Sequence, residues 1–360
     1  MAPLVIPSIE SLVPYEGGKP IEELARELGV THAVKLASNE NALGPSPLAI
    51  EAARSALGAA NRYPDGSCYR LRERIAAFHG IGANEVLPGA GSNELLDLVV
   101  RTFATPAHHV VFAEPAFIVY RIASLSSGVP FSAVPLRDNV HDLEAMAAAV
   151  TPKTRVLFVA NPNNPTGTHV GRAAVERLLR QVPEEVIIVM DEAYLEYVAA
   201  PDYPNALELR SLRERLIVTR TFSKAYGLAA LRVGYAVAPP AIIDYMNRVR
   251  APFNVTTPAQ AAATAALDDR AHVEKSVELN AAERTRVVAA LEKLGVRTAP
   301  SQTNFVLADV GRPARPVYDA LLRRGVIVRP FGNLPTSLRV TFGLPEENDR
   351  FLAALGEVLA

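Results

Sequence analysis

Three stretches of the 360-residue chain place reactive polar side chains directly after short apolar runs. The run at 155–159 is followed by Asn161-Pro162-Asn163-Asn164-Pro165-Thr166-Gly167, the run at 186–190 by Asp191-Glu192-Ala193-Tyr194, and the run at 216–219 by Arg220-Thr221-Phe222-Ser223-Lys224. In open α/β sheets, ligands bind beyond the carboxyl ends of the strands, so the three stretches can converge on one crevice. An amine there is a nucleophile and a proton carrier, and a carboxylate beside it favours positive charge on a bound group. A fourth stretch adds an anion site. The short run at 85–88 stops at Gly89-Ala90-Gly91, and Ser92 is placed to cap a helix through residue 102. Backbone N–H groups at a helix start and the helix dipole attract an anion. The glycine pattern lacks the third glycine of a dinucleotide loop. Taken singly, Lys224 or Asp191 reads as half of a structural ion pair, and Asn164 as a turn residue.

The elements that must hold these groups follow from the apolar pattern. The runs at 110–113, 155–159, 186–190 and 216–219 are nearly continuous in apolar residues, as strands covered on both faces are. Helical patterns fall at 21–28, 47–60, 69–79 and 171–180. The fold class is therefore α/β, with a mostly parallel sheet between helices. Beyond Pro258 the character changes to a long helical stretch at 259–294, apolar runs at 304–308, 326–328 and 338–342, a helix at 316–324 and a final helix. This describes a smaller α+β unit. The expected division is an N-terminal arm with part of the small domain at 1–45, a large domain at 46–258 and a small C-terminal domain at 259–360.

Bulk properties narrow the function. Hydrophobic residues make up 49% of the chain, charged residues 21%, and the net charge is -1. No strong field favours nucleic acid or an anionic membrane surface. No apolar run approaches the length of a membrane span, and the start has no secretory pattern. The single cysteine, Cys68, makes no internal disulfide, which suits a reducing cytoplasm and a structural role. His108 and His109 have no ligand partners nearby and read as surface residues, so no metal is expected.

The segment 223–234, Ser-Lys-Ala-Tyr-Gly-Leu-Ala-Ala-Leu-Arg-Val-Gly, resembles the lysine signature of class I and II aminotransferases. The Asn-Pro-Asn-Asn-Pro-Thr-Gly and Asp-Glu-Ala-Tyr stretches resemble two further motifs of the same fold type I superfamily, in the same order. The resemblance runs over nearly the whole chain. It implies pyridoxal 5'-phosphate (PLP) as cofactor, carried on Lys224, with the freed amine shuttling a proton. It implies Asp191 beside the ring nitrogen, Asn164 and Tyr194 on the ring hydroxyl, and Phe117 stacked on the ring where many relatives have tyrosine. Ser92, Asn93, Thr221, Ser223 and Arg232 match the phosphate cradle. Tyr63 matches a tyrosine that reaches the cofactor of a neighbouring subunit, which implies a homodimer.

Within the superfamily, the chain most resembles histidinol-phosphate aminotransferases and their aromatic aminotransferase relatives. The residues concerned are 12–15, 37–41, 61–64, Val328-Arg329 and Leu338-Arg339. The resemblance assigns Tyr15, Arg329 and Arg339 to the distal phosphate of the substrate, and Arg339 also to an α-carboxylate. It implies a ping-pong reaction with glutamate and 2-oxoglutarate in histidine biosynthesis. Phe253 stands where several histidinol-phosphate enzymes have tyrosine, a pattern shared by aromatic-preferring relatives. An aromatic amino acid aminotransferase, a PLP-dependent decarboxylase and a non-catalytic PLP-fold binding protein remain as alternatives.

Overall fold

The computed structural model describes residues 4–10, 12–15, 17–30 and 32–360. Its centre is a seven-stranded sheet in the order Val86–Gly89, Gly234–Val237, Leu216–Thr221, Ile187–Asp191, Thr154–Ala160, His109–Glu114, Phe131–Pro135. Every pairing is parallel except the two made by Gly234–Val237, which runs antiparallel to both neighbours. The four continuous apolar runs form strands here. Val156, Leu157, Phe158 and Val159 alternate between two apolar clusters, one on each face, and all are fully buried. Burying each such side chain contributes about 1.5–3 kcal/mol.

The register brings the polar strand ends level. Ala160 pairs with Asp191, and Asp191 with Thr219, so the three chains leave the sheet at one edge. The helix Gly91–Phe103 covers the sheet through Leu95, Leu96, Leu98, Val99 and Val100.

A second sheet is antiparallel, in the order Arg329–Phe331, Leu334–Thr341, Phe305–Asp309, Arg297–Thr298. The short strand Val34–Lys35 pairs in parallel with Val326–Ile327, and Leu36 joins the apolar cluster of this sheet. Just beyond, Asn39 donates to the Tyr194 hydroxyl and Asn41 to the Ala225 carbonyl, 2.9 Å each, which ties this segment to the ends of the large sheet's strands.

Several expectations need correction. The helical stretch at 259–294 is two helices, Thr257–Ala266 and Arg270–Lys293. Asp269 caps the second by accepting the His272 N–H, and an aspartate in that role ends one helix as it begins the next. The helix expected at 47–60 ends at Ala56 and continues as a tighter turn, Leu57–Ala59. Ser92 lies inside the first turn of Gly91–Phe103 and is not its cap; the Glu94 carboxylate accepts the Ala90 N–H at 2.6 Å. His109 is not a surface residue. Its ring bridges Thr154 Oγ1 and Ser132 Oγ, at 3.0 Å each, across three neighbouring strands. The strands Phe131–Pro135 and Gly234–Val237 were not expected.

Candidate active site

At the strand ends lies a cavity of about 640 Å³. Twelve of the residues singled out in the sequence line it: Tyr15, Ser92, Asn93, Phe117, Asn164, Asp191, Tyr194, Thr221, Ser223, Lys224, Arg232 and Arg339. Arg329 stands beside it. Its guanidinium lies 5.4 Å from the Tyr15 ring centre and donates to the Gly17 carbonyl at 2.8 Å; Tyr15 and Gly17 both line the cavity. Tyr63 is elsewhere, 82% exposed and stacked on Phe253 at 4.8 Å.

Lys224 reaches the floor from the turn after Leu216–Thr221. Its Nζ donates weakly to the carbonyls of Ser38 and Asn39, 3.3 Å each. Burial, and then the nearby Arg339 charge, push its ammonium down to about 7. A lysine in that state has a substantial neutral, nucleophilic fraction near neutral pH. Asp191 ends the central strand and is buried. Burial pushes its carboxyl up to about 6, against hydrogen bonds from Tyr120 at 2.8 Å and Thr219 at 3.2 Å. Such a group gains stability from a cation or N–H⁺ donor in the cavity.

Tyr194 is held by Asn39, whose Nδ2 donates to its hydroxyl at 2.9 Å; burial pushes that phenol up to about 12, so it stays neutral. Arg339 is buried too. It donates to Asn164 Oδ1 and to the Ala37 carbonyl, both at 2.6 Å, while its Nε has no partner among the described residues. Burial holds its guanidinium below the usual range, and the ionisable groups around it include Tyr194, Tyr15 and Arg329.

At the other end, Thr221 Oγ1 donates to Ser223 Oγ at 3.0 Å, and Arg232 Nη1 donates to the same oxygen at 3.3 Å. Two glycines let backbone and cation approach. Gly91 has φ +78°, and a Cβ there would lie 2.6 Å from Arg232 Nη2; a Cβ on Gly234 would lie 2.8 Å from the Ser92 nitrogen. Hydroxyls, a guanidinium and a helix start converge there, as an anion requires.

Below the site, Arg220 donates to Glu192 Oε2 at 3.0 and 2.7 Å, and Glu192 Oε1 accepts the Ala206 N–H at 2.7 Å. The pair is fully desolvated, and it anchors the two strands that deliver Asp191 and Lys224. Asn39 and Tyr120 were missed as site residues in the sequence. Asn39 lay within a quoted stretch, but its partner is 155 positions away, and nothing local marks Tyr120.

The model of the family "Aminotransferase class I and II" matches residues 31–355. The chain belongs to this family. Among class I and II aminotransferases, it is 52% identical to histidinol-phosphate aminotransferase 2 of Pseudomonas aeruginosa, over 99% of this chain and 98% of that protein. It is 50% identical to histidinol-phosphate aminotransferase of Moorella thermoacetica, over 98% and 92%. The histidinol-phosphate aminotransferase of Sinorhizobium meliloti, solved in complex with pyridoxal-5'-phosphate, superposes with a TM-score of 0.91 at 30% identity, covering 99% of this chain and 97% of that one. The α/β class and the aminotransferase assignment expected from the sequence therefore stand.

Proposed function

We propose that this aminotransferase uses PLP to move an amino group between histidinol phosphate and 2-oxoglutarate. One observation carries the substrate choice: Arg329 and Arg339 occupy directly opposed positions in two antiparallel strands at the cavity, which suits a phosphate dianion. The names and full-length similarity of the relatives support the same reading.

The chemistry of the donor set fits the cofactor. Lys224 would carry it, Asp191 would pair with the ring nitrogen, Asn164 and Tyr194 would bond the ring hydroxyl, and Phe117 would cover one ring face. Ser92, Asn93, Thr221, Ser223 and Arg232 would hold its phosphate. The bound cofactor supplies the electron sink for the bond broken at the substrate α-carbon. Lys224 Nζ would take the proton from the substrate α-carbon and deliver it to the cofactor carbon that receives the amino group, which frees the amine for the reverse half-reaction. Arg339 grips a carboxylate or phosphate, Arg329 and Tyr15 address the distal phosphate, and Asp191 keeps positive charge on the ring nitrogen.

The chain is proposed to work as a cytoplasmic homodimer, with Tyr63 of one subunit reaching the cofactor of the other. Its high exposure and its absence from the lining of this chain's own cavity support that reading. The domain division at 45 and 258 is proposed as well; the pairing of Val34–Lys35 with Val326–Ile327 supports placing the N-terminal segment with the small unit. The second reading is an aromatic amino acid aminotransferase. It is favoured by Phe253, which offers no hydroxyl and stacks on Tyr63. Reconstitution with PLP and assay of glutamate formation from histidinol phosphate and 2-oxoglutarate tests the proposal; a loaded protein that transfers no amino group from histidinol phosphate refutes it.

A further inference from the structure

Tyr120 lies one layer behind the cavity. It is fully buried and does not line the open space. Its ring stacks on Phe158, 4.7 Å between centres, and meets Phe117 edge-on at 6.0 Å. Its carbonyl accepts the Ser124 hydroxyl at 2.8 Å. A buried phenol needs a hydrogen-bond partner, and Tyr120 donates to Asp191 Oδ2 at 2.8 Å. Thr219 donates to the other oxygen, Oδ1, at 3.2 Å. An ionised carboxylate offers about four acceptor sites. The two hydroxyls therefore fix both oxygens from the protein side and leave lone pairs for a donor in the cavity.

We propose that Tyr120 is the positioning residue for Asp191: its hydroxyl keeps the carboxylate ionised and aimed at the cavity, and so sets how strongly Asp191 draws a proton onto a bound ring nitrogen. The inference rests on the reading of Asp191 as the ring-nitrogen partner. Its physical basis is competition for one proton. A donor on the carboxylate stabilises the charged form. Without that donor Asp191 becomes more basic, the shared proton moves toward it, and the ring loses positive charge. The ionisable groups facing Asp191 are Tyr120 from the helix Val119–Ser126, Glu192 and Tyr194 from its own strand end, and Lys224 from the neighbouring strand end. Glu192 is tied to Arg220, and Tyr194 stays neutral, so Tyr120 is the strongest side-chain influence that holds Asp191 ionised.

Tyr120→Phe removes one hydroxyl and keeps both ring contacts. Infrared titration of the cofactor-free chain follows the protonated carboxyl band that Asp191→Asn abolishes. The band's midpoint is expected to rise by about one pH unit in Tyr120→Phe, and by less, in the same direction, in Thr219→Val. In the PLP-loaded enzyme, kcat is expected to fall about tenfold while KM for the amino donor stays within about twofold. A space-filling role predicts otherwise: Tyr120→Phe would leave midpoint and kcat unchanged, and only Tyr120→Leu would suffer. That result overturns the proposal. The infrared arm needs no cofactor. A shifted band in a chain that binds no PLP would therefore support the Tyr120–Asp191 coupling and refute the functional reading instead.

Discussion

Arg329 and Arg339 face each other directly across an antiparallel strand pair, their Cα positions in register. Residues so placed share a sheet face with Cβ atoms about 4.5–5.5 Å apart, and like charges there repel unless an anion joins them. Arg339 is buried with one nitrogen unpartnered, and Arg329 packs on Tyr15 at the cavity edge. Arg329→Ala should weaken use of histidinol phosphate by roughly 10- to 150-fold, the equivalent of about 1.5–3 kcal/mol for a charge-assisted contact. It should leave phenylalanine nearly unaffected. Arg339→Ala should impair every substrate, because the same guanidinium would hold the glutamate carboxylate. Specificity constants for both variants on both substrates decide; equal losses for Arg329→Ala would remove its role in phosphate recognition.

Lys224 carries the second prediction. Lys224→Ala should fold and lose turnover, since both the attachment point and the proton carrier vanish. Because the wild-type amine is pushed down to about 7, the rate of cofactor uptake should rise with pH up to about 7 and then level off. Stopped-flow absorbance of the cofactor-free chain mixed with PLP measures this. A rate that keeps climbing to pH 10 would show an ordinary lysine.

Asp191 should trade stability for activity. Asp191→Asn should lower kcat at least ~100-fold, the low end for a positioned electrostatic group. Its effect on the cofactor-free fold should run the other way. Burial raises the carboxyl from 3.8 to about 6, so the ionised group costs the folded state on the order of 2–3 kcal/mol above pH 6. That cost fades as pH falls through 6 toward 3.8. Thermal melts of the cofactor-free proteins should show the variant ahead at pH 8 and the gap narrowed to roughly half by pH 5. A gap that widens on acidification would contradict the burial argument.

The parts of this molecule that were legible in its sequence share one property: local pattern determines them. The strands at 154–160, 187–191 and 216–221 are buried on both faces, so their apolar runs are unbroken. Phe131–Pro135 is an edge strand with a half-exposed, mixed pattern, and Gly234–Val237 is short and begins with glycine; neither announces itself. The break at Asp269 hid inside an alanine-rich stretch whose helical character continues on both sides. In the site, the reactive residues follow strands and carry motif spacing. Their supports do not: Tyr120 meets Asp191 across 71 positions, and Asn39 meets Thr341 across 302. Such pairings exist only after the sheet has formed.

Assembly gives the fourth prediction. Tyr63 and Phe253 form an exposed aromatic pair, with Leu57 and Tyr69 also exposed nearby in sequence. Sedimentation should show an isologous dimer at assay concentration. Tyr63→Ala should weaken cofactor retention if the side chain crosses to the partner's site. An active monomer that keeps its cofactor would contradict both statements.

The opposed arginines would suit this aminotransferase to a phosphorylated amino donor. The direct measurement is the ratio of kcat/KM for histidinol phosphate to that for phenylalanine, with 2-oxoglutarate as acceptor and the wild-type protein loaded with PLP. The expected ratio is at least about tenfold in favour of histidinol phosphate, the contribution of one charge-assisted phosphate contact. A ratio below one would contradict it and assign the chain to aromatic amino acids instead.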